Sequence, residues 1–207
     1  KIIYERIQPA FLTADLGSLI HALRAELTIP AAYYPGFSDW LNKVVLELTE
    51  GMRSLILARF QHKIVGVNIL KHHEAENKLC TFWVNPEFRH QHIASKLLSM
   101  SLDSFQGKAP LITIPESRLG EFTFLIERRG FLPCGVSDGL YHQHLREYFF
   151  TIPQMPAASQ ERSIAQGQIG VTLRRISQDD IERCQGQGDK RIKKDPYPGF
   201  LSLVILV

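Results

Sequence analysis

Between Val84 and Leu98 the chain reads VNPEFRHQHIASKLL. A short apolar stretch ends at Val84, Pro86 marks a turn, a basic knot of Arg89, His90, Gln91 and His92 follows, and a helix pattern begins at Ile93. Such a layout suits an anion, because the first turn of a helix offers free backbone N–H groups and the positive end of the dipole. His90, Gln91, His92, Ile93, Ala94 and Ser95 would supply those donors, Arg89 a cation and Ser95 a hydroxyl. The plainer reading of the same letters is a strand-to-helix turn with an exposed arginine. His92 stands where a phosphate-wrapping loop would be expected to carry glycine, which permits close approach and positive φ. Either the loop keeps a right-handed conformation at 92 and turns the imidazole outward beside the anion, or the side chain narrows the pocket.

The other residue types with chemistry to offer are less organised. His72-His73, His90/His92 and His142/His144 invite a metal, but adjacent histidines on a strand face opposite ways and no carboxylate or cysteine accompanies them at ligand spacing, so no metal site is expected. Cys80, Cys134 and Cys184 are odd in number and form no C-x-x-C pair, which argues against a disulfide framework or zinc and for a reducing, cytoplasmic setting. Cys80 reads as a small buried apolar residue.

The 207 residues fit one domain with an appendage. A hydrophobic fraction of 44% and a charged fraction of 22% are those of a globular protein, no stretch approaches the ~18 apolar residues of a membrane span, and KIIYERIQPAFL lacks the apolar core of a secretory signal. A net charge of +3 suits an anionic ligand yet does not mark a nucleic-acid binder.

These side chains must be held by elements that the periodicity outlines. Ile2 to Ile7 forms an opening strand. Leu12 to Leu27 carries one apolar helical face, and a second helix capped by Ser38 buries Trp40, Leu41, Val44, Val45 and Leu48. RSLILARF, KIVGVNILKHH and NKLCTFWV follow as a three-stranded antiparallel meander. Then come a helix from Ile93 to Phe105, the buried strand PLITIP, a helix from Leu119 to Arg129 stopped by Gly130 as a left-handed cap, and two strands in FLPCGV and REYFFTI. Residues 153–170 are rich in Pro, Ala, Ser, Gln and Gly and read as a linker or loop. Residues 171–207 form an extension too small for its own core, expected to dock on the domain or on a partner.

Over residues 1–152 this order resembles the GNAT family of acetyl-CoA-dependent N-acetyltransferases. Three features carry the resemblance: CTFWVNPEFRHQHIASKLL is similar to the family's strand, turn and helix signature, with Arg89 and Ala94 at its first and last positions; PLITIPES sits where the family's splayed strand lies; and FLIERRGF resembles the helix ending in Gly-Phe before the final hairpin. The resemblance implies an α/β (α+β) fold with a mixed, mostly antiparallel central sheet flanked by helices, and acetyl-CoA as co-substrate. It implies direct transfer of acetyl to an amine of a small molecule or protein. A backbone N–H of Phe82, Trp83 or Val84 would face the thioester carbonyl, and residues 89–95 would hold the pyrophosphate.

The acceptor would be lined by Tyr33, Tyr34, Phe37 and Trp40, although Phe37 and Trp40 also suit core anchors of the second helix. The tyrosine that many members place four residues ahead of the Gly-Phe glycine is Ile126 here. A substitute acid or base is sought in Glu116 and Ser117, which also suit a cap turn, or in Tyr141, which also suits a hairpin aromatic. With the customary acid absent and His92 in the loop, a catalytically degenerate binding or regulatory module, assembling for instance as a homodimer through its tail, is the competing expectation.

Overall fold

The computed structural model describes residues 1–8, 16–28, 34, 36–74, 76–141 and 143–153. Tyr33, His142, Cys184, the 153–170 linker from residue 154 onward and the whole 171–207 extension lie outside them.

Nearly continuous apolar runs in LILA, LCTFWV and YFF produce strands that are buried along their length because both sheet faces are covered. Seven strands result: β1 (Ile2–Ile7), β2 (Arg53–Phe60), β3 (Lys63–His72), β4 (Asn77–Val84), β5 (Pro110–Pro115), β6 (Leu132–Asp138) and β7 (Arg146–Thr151). They lie in the order β1-β2-β3-β4-β5-β7-β6, and every pairing is antiparallel except β4 with β5. The mixed, mostly antiparallel sheet expected from the sequence is therefore present.

Two helices cover each face. Helix α1 (Leu16–Glu26) and α2 (Phe37–Thr49) close one, their Leu23, Trp40, Leu41, Val44 and Leu48 packing with Leu55, Leu57, Val67, Ile69, Cys80 and Trp83. Helix α3 (Ile93–Ser104) and α4 (Leu119–Glu127) close the other, where Ile93, Leu97, Leu98, Phe122 and Ile126 meet Ile56, Leu79, Phe82, Val84 and Ile114. Each such side chain withdrawn from water contributes roughly 1.5–3 kcal/mol before entropy is counted. Gly66 on β3 lets α3 approach: a Cβ there would stand 2.9 Å from Leu97 Cδ1 and 3.0 Å from Ile93 Cγ2.

Several boundaries differ from expectation for local reasons. Helix α2 begins at Phe37, and its N-cap is Gly36 at φ 78°, not Ser38; the turn enters the helix through a left-handed residue that glycine tolerates. Helix α4 ends at Glu127 rather than Arg129, while Gly130 at φ 79° provides the left-handed stop and Phe131 N–H returns to Ile126 O at 3.2 Å. Helix α1 is described from Leu16, and residues 12–15 of the expected helix lie outside the described set.

Candidate active site

The turn after β4 is built by Asn85, whose side-chain oxygen accepts the Glu87 N–H at 3.0 Å, and by the single helical turn Pro86–Phe88. The chain then swings back into α3 through two left-handed residues, His90 at φ 61° and His92 at φ 60°. The expectation of a right-handed conformation at 92 is corrected by this. His92 is the N-cap of α3, and helical hydrogen bonding starts only with Lys96 N–H to His92 O at 3.0 Å. An N-cap must leave the helical region, and here the chain does so on the left-handed side, which histidine enters more readily than most residues. The side chains of Arg89, His90, Gln91 and His92 are exposed, so the His92 imidazole lies outside the core. Among the described residues, the amides of 90–95 donate to no backbone carbonyl. Alternating positive φ ahead of a helix is a geometry in which neighbouring amides converge on an anion.

Beside the turn the sheet opens. Strands β4 and β5 pair only at Asn77↔Pro110, Lys78↔Leu111 and Leu79↔Ile112, whereas β5 stays paired with β7 as far as Pro115↔Glu147. From Cys80 onward the β5 side of β4 loses its ladder. The divergence starts where the β3–β4 register slips: Leu70 faces Leu79 but Ile69 faces Thr81, so Cys80 is the extra residue of a bulge, a device that bends and twists a strand. Phe82, Trp83 and Val84 are buried by their side chains, so toward the opening they offer backbone groups.

On the α1/α2 side of this opening lies a buried polar group. Tyr34, 1% exposed, packs edge-on against Tyr141 at 5.9 Å between ring centres. Lys78, itself buried, reaches the Tyr141 hydroxyl at 3.4 Å. Burial works against its charge, but Tyr141, Glu76 and Cys80 outweigh it and raise its pKa. Facing them is Glu147 on β7, 1% exposed, whose carboxyl is pushed up to about 7 by burial, with Lys78 and the Tyr34 hydroxyl pulling the other way. A carboxyl that titrates near neutrality is matched to accepting a proton. Trp40 and Trp83 add indole N–H groups with no partner among the described residues.

Glu147 and Lys78 escaped the sequence reading. Each stands in a strand pattern whose apolar neighbours dominate; the available signal was a charge at an inward position of REYFFT and of NKLCTFWV.

Of the nominated residues, Tyr34 and Tyr141 come together. Glu116 and Ser117 are exposed just past β5, where Glu116 accepts from Tyr148 Oη at 3.1 Å and pairs with Arg146 at 3.5 Å. Tyr148 belongs to the core on the α3/α4 side, so Glu116 and Tyr141 are not brought to one place. Phe37 and Trp40 are core residues of α2, 3% exposed each. Ile126 is fully buried in the core that also holds Phe82, Phe122 and Phe131. No group of three metal-ligating side chains occurs among the described residues, and none of their helices is long and apolar enough to cross a membrane.

No protein-family model matches the sequence, and no curated protein does. Solved structures do match the fold. The ribosomal-protein-S18-alanine N-acetyltransferase of Escherichia coli superposes with a TM-score of 0.58 at 15% identity, covering 76% of this chain and 96% of that one. An N-acetyltransferase of Staphylococcus aureus gives 0.58 at 9% identity over 75% and 99% of the two chains. A GNAT family acetyltransferase of Elizabethkingia anophelis, solved with acetyl-CoA bound, gives 0.52 at 15% identity over 73% and 97%. The chain has the GNAT acetyltransferase fold.

Proposed function

We propose that the protein is an N-acetyltransferase that takes acetyl-CoA and passes its acetyl group directly to an amine. The observation that carries this reading is the juxtaposition of the β4–β5 opening with a turn whose amides, from 90 to 95, have no backbone acceptor. Pyrophosphate oxygens would take those donors, with Arg89 adjacent, and the pantetheine arm would continue the interrupted ladder along β4. The amine nitrogen attacks the thioester carbon, the carbon–sulfur bond breaks, and the oxyanion formed on the way is met by a β4 N–H of Phe82, Trp83 or Val84. The amine proton goes to Glu147, which is sealed from solvent and works through the Tyr34 hydroxyl. Tyr141, beside Lys78, returns a proton to the CoA thiolate.

Acetyl-CoA should raise the melting temperature saturably, as a ligand selective for the native state must, and Arg89→Ala should weaken the effect. No shift at millimolar acetyl-CoA would overturn the reading. Buried Ile126 at the customary tyrosine position favours a second reading, a module that binds acyl-CoA without transferring it. Release of CoA in the presence of amines separates the two.

A further inference from the structure

Arg53 and Lys78 are both buried on the α1/α2 face of the sheet, and only Arg53 has an answering anion. Arg53 meets Glu47 at 2.7 Å and gives a second N–H to Cys80 Sγ at 2.8 Å. Lys78, 6% exposed, forms no ion pair with a carboxylate among the described residues. Of its three N–H groups, one is used, by the Tyr141 hydroxyl at 3.4 Å. The groups around it do not make up the deficit. Glu76 is drawn to Lys71 at 3.1 Å, Cys80 Sγ takes the Arg53 N–H, and Glu147 holds its proton to about pH 7. An ammonium withdrawn from water without a paired charge is costly, and such groups gather where a ligand brings the missing charge.

Position in the sheet says which charge that is. Lys78 stands on the last rung but one before β4 and β5 part, Leu79↔Ile112 being the last, so it sits at the closed end of the opening. The turn with free amides lies at the open end, and a pantetheine arm laid along β4 from there delivers its sulfur toward the closed end. Lys78 is sealed and Tyr141 is half-buried, so the ammonium meets a ligand only through the phenol. An ammonium has no acceptor, so Nζ donates and Tyr141 Oη accepts, which frees the phenolic O–H to donate onward. A hydroxyl that accepts from a cation is itself a stronger donor.

We propose that Lys78 is the positioning residue of the acid step: through Tyr141 it makes the closed end of the opening a seat for the CoA sulfur as thiolate. The inference rests on the acetyl-transfer reading and adds to it the source of leaving-group stabilisation. When the carbon–sulfur bond breaks, its electron pair stays on sulfur and the Tyr141 O–H donates to the thiolate. As that proton passes to sulfur, the negative charge moves to the phenol oxygen, beside the ammonium. The half-buried phenol then recovers a proton from solvent.

The test compares free CoA with desulfo-CoA, which lacks only the sulfur, by calorimetric titration of the full chain. The window runs from about pH 6.5 to about pH 9, spanning the ordinary thiol value of about 8.5. A thiol lowered by about one unit in the complex makes CoA gain on desulfo-CoA by about fivefold or more as pH rises. Glu147 ionises inside this window and its charge opposes a thiolate, so in Glu147→Gln the gain should be at least as large. Lys78→Met and Lys78→Gln, both neutral, should bind both ligands and lose the gain, and Tyr141→Phe should lose it as well. A lysine of purely structural value would leave it intact. A gain that survives in either neutral variant, or a ratio that stays flat in the wild type, overturns the inference and leaves the acetyl-transfer reading standing. Binding of neither ligand overturns both.

Discussion

Glu147→Gln makes one substitution answer for both stability and catalysis. The native carboxyl holds its proton to about pH 7, whereas the ordinary value is 4.5. Between those pH values the folded protein binds a proton that the unfolded chain has released, so stability falls as pH rises through the window and levels off above it. The gap corresponds to about 3 kcal/mol, a large share of a domain's net stability. Glutamine resembles the protonated carboxyl in shape and cannot ionise, so the variant escapes this loss. Urea unfolding at intervals from pH 4.5 to 8.5 should show the two proteins nearly equal at the acid end. At pH 8 the variant should be more stable by about 3 kcal/mol, or roughly 6–12 °C in Tm for a domain of this size. Groups common to both proteins cancel in the difference. If an amine substrate is in hand, the same variant should lose roughly a hundredfold or more in kcat through loss of its base. Parallel pH–stability curves would refute the raised carboxyl; a stabilised variant with full turnover would refute its role as base.

The left-handed turn gives a second expectation. His92→Val should cost about 1–2 kcal/mol, because a β-branched residue at φ 60° is strained, while His92→Gly should leave the Tm near that of the wild type; equal melting of the two would show that residue 92 is not held left-handed. Gly66→Ala should destabilise by about 1–3 kcal/mol as its methyl meets Leu97 and Ile93 beneath α3, and an unchanged midpoint in urea would mean that the helix does not seat that closely.

Much of the frame was legible because it is written in local periodicity. RSLILARF, NKLCTFWV and PLITIP became β2, β4 and β5 with the expected bounds, and Gly130 took the left-handed cap. The stretch VNPEFRHQHIASKLL also announced a strand, a turn and a helix start, since proline, a polar knot and a 3.6-residue apolar repeat each act within a few neighbours. What the turn does at residue 92 was a different matter: the letters left its conformation open between two readings, and the folded chain holds histidine there in the left-handed region at φ 60°.

The residues on the acceptor side show the same division more sharply. Tyr141 was visible as a lone polar aromatic, but its partners come from distant strands and from the loop before α2. Glu147 read as one charge in a strand, indistinguishable from Asp138 or Arg146, until pairing with β5 and the cover of the α1/α2 face enclosed it. Burial sets its proton affinity, and burial belongs to the assembled sheet rather than to any segment. The sequence by itself determined which segments become strands and helices and that a turn after β4 leads into the start of a helix. Only the tertiary structure decided where β4 and β5 part, because a bulge at Cys80 depends on register between strands, and which carboxyl is kept out of water.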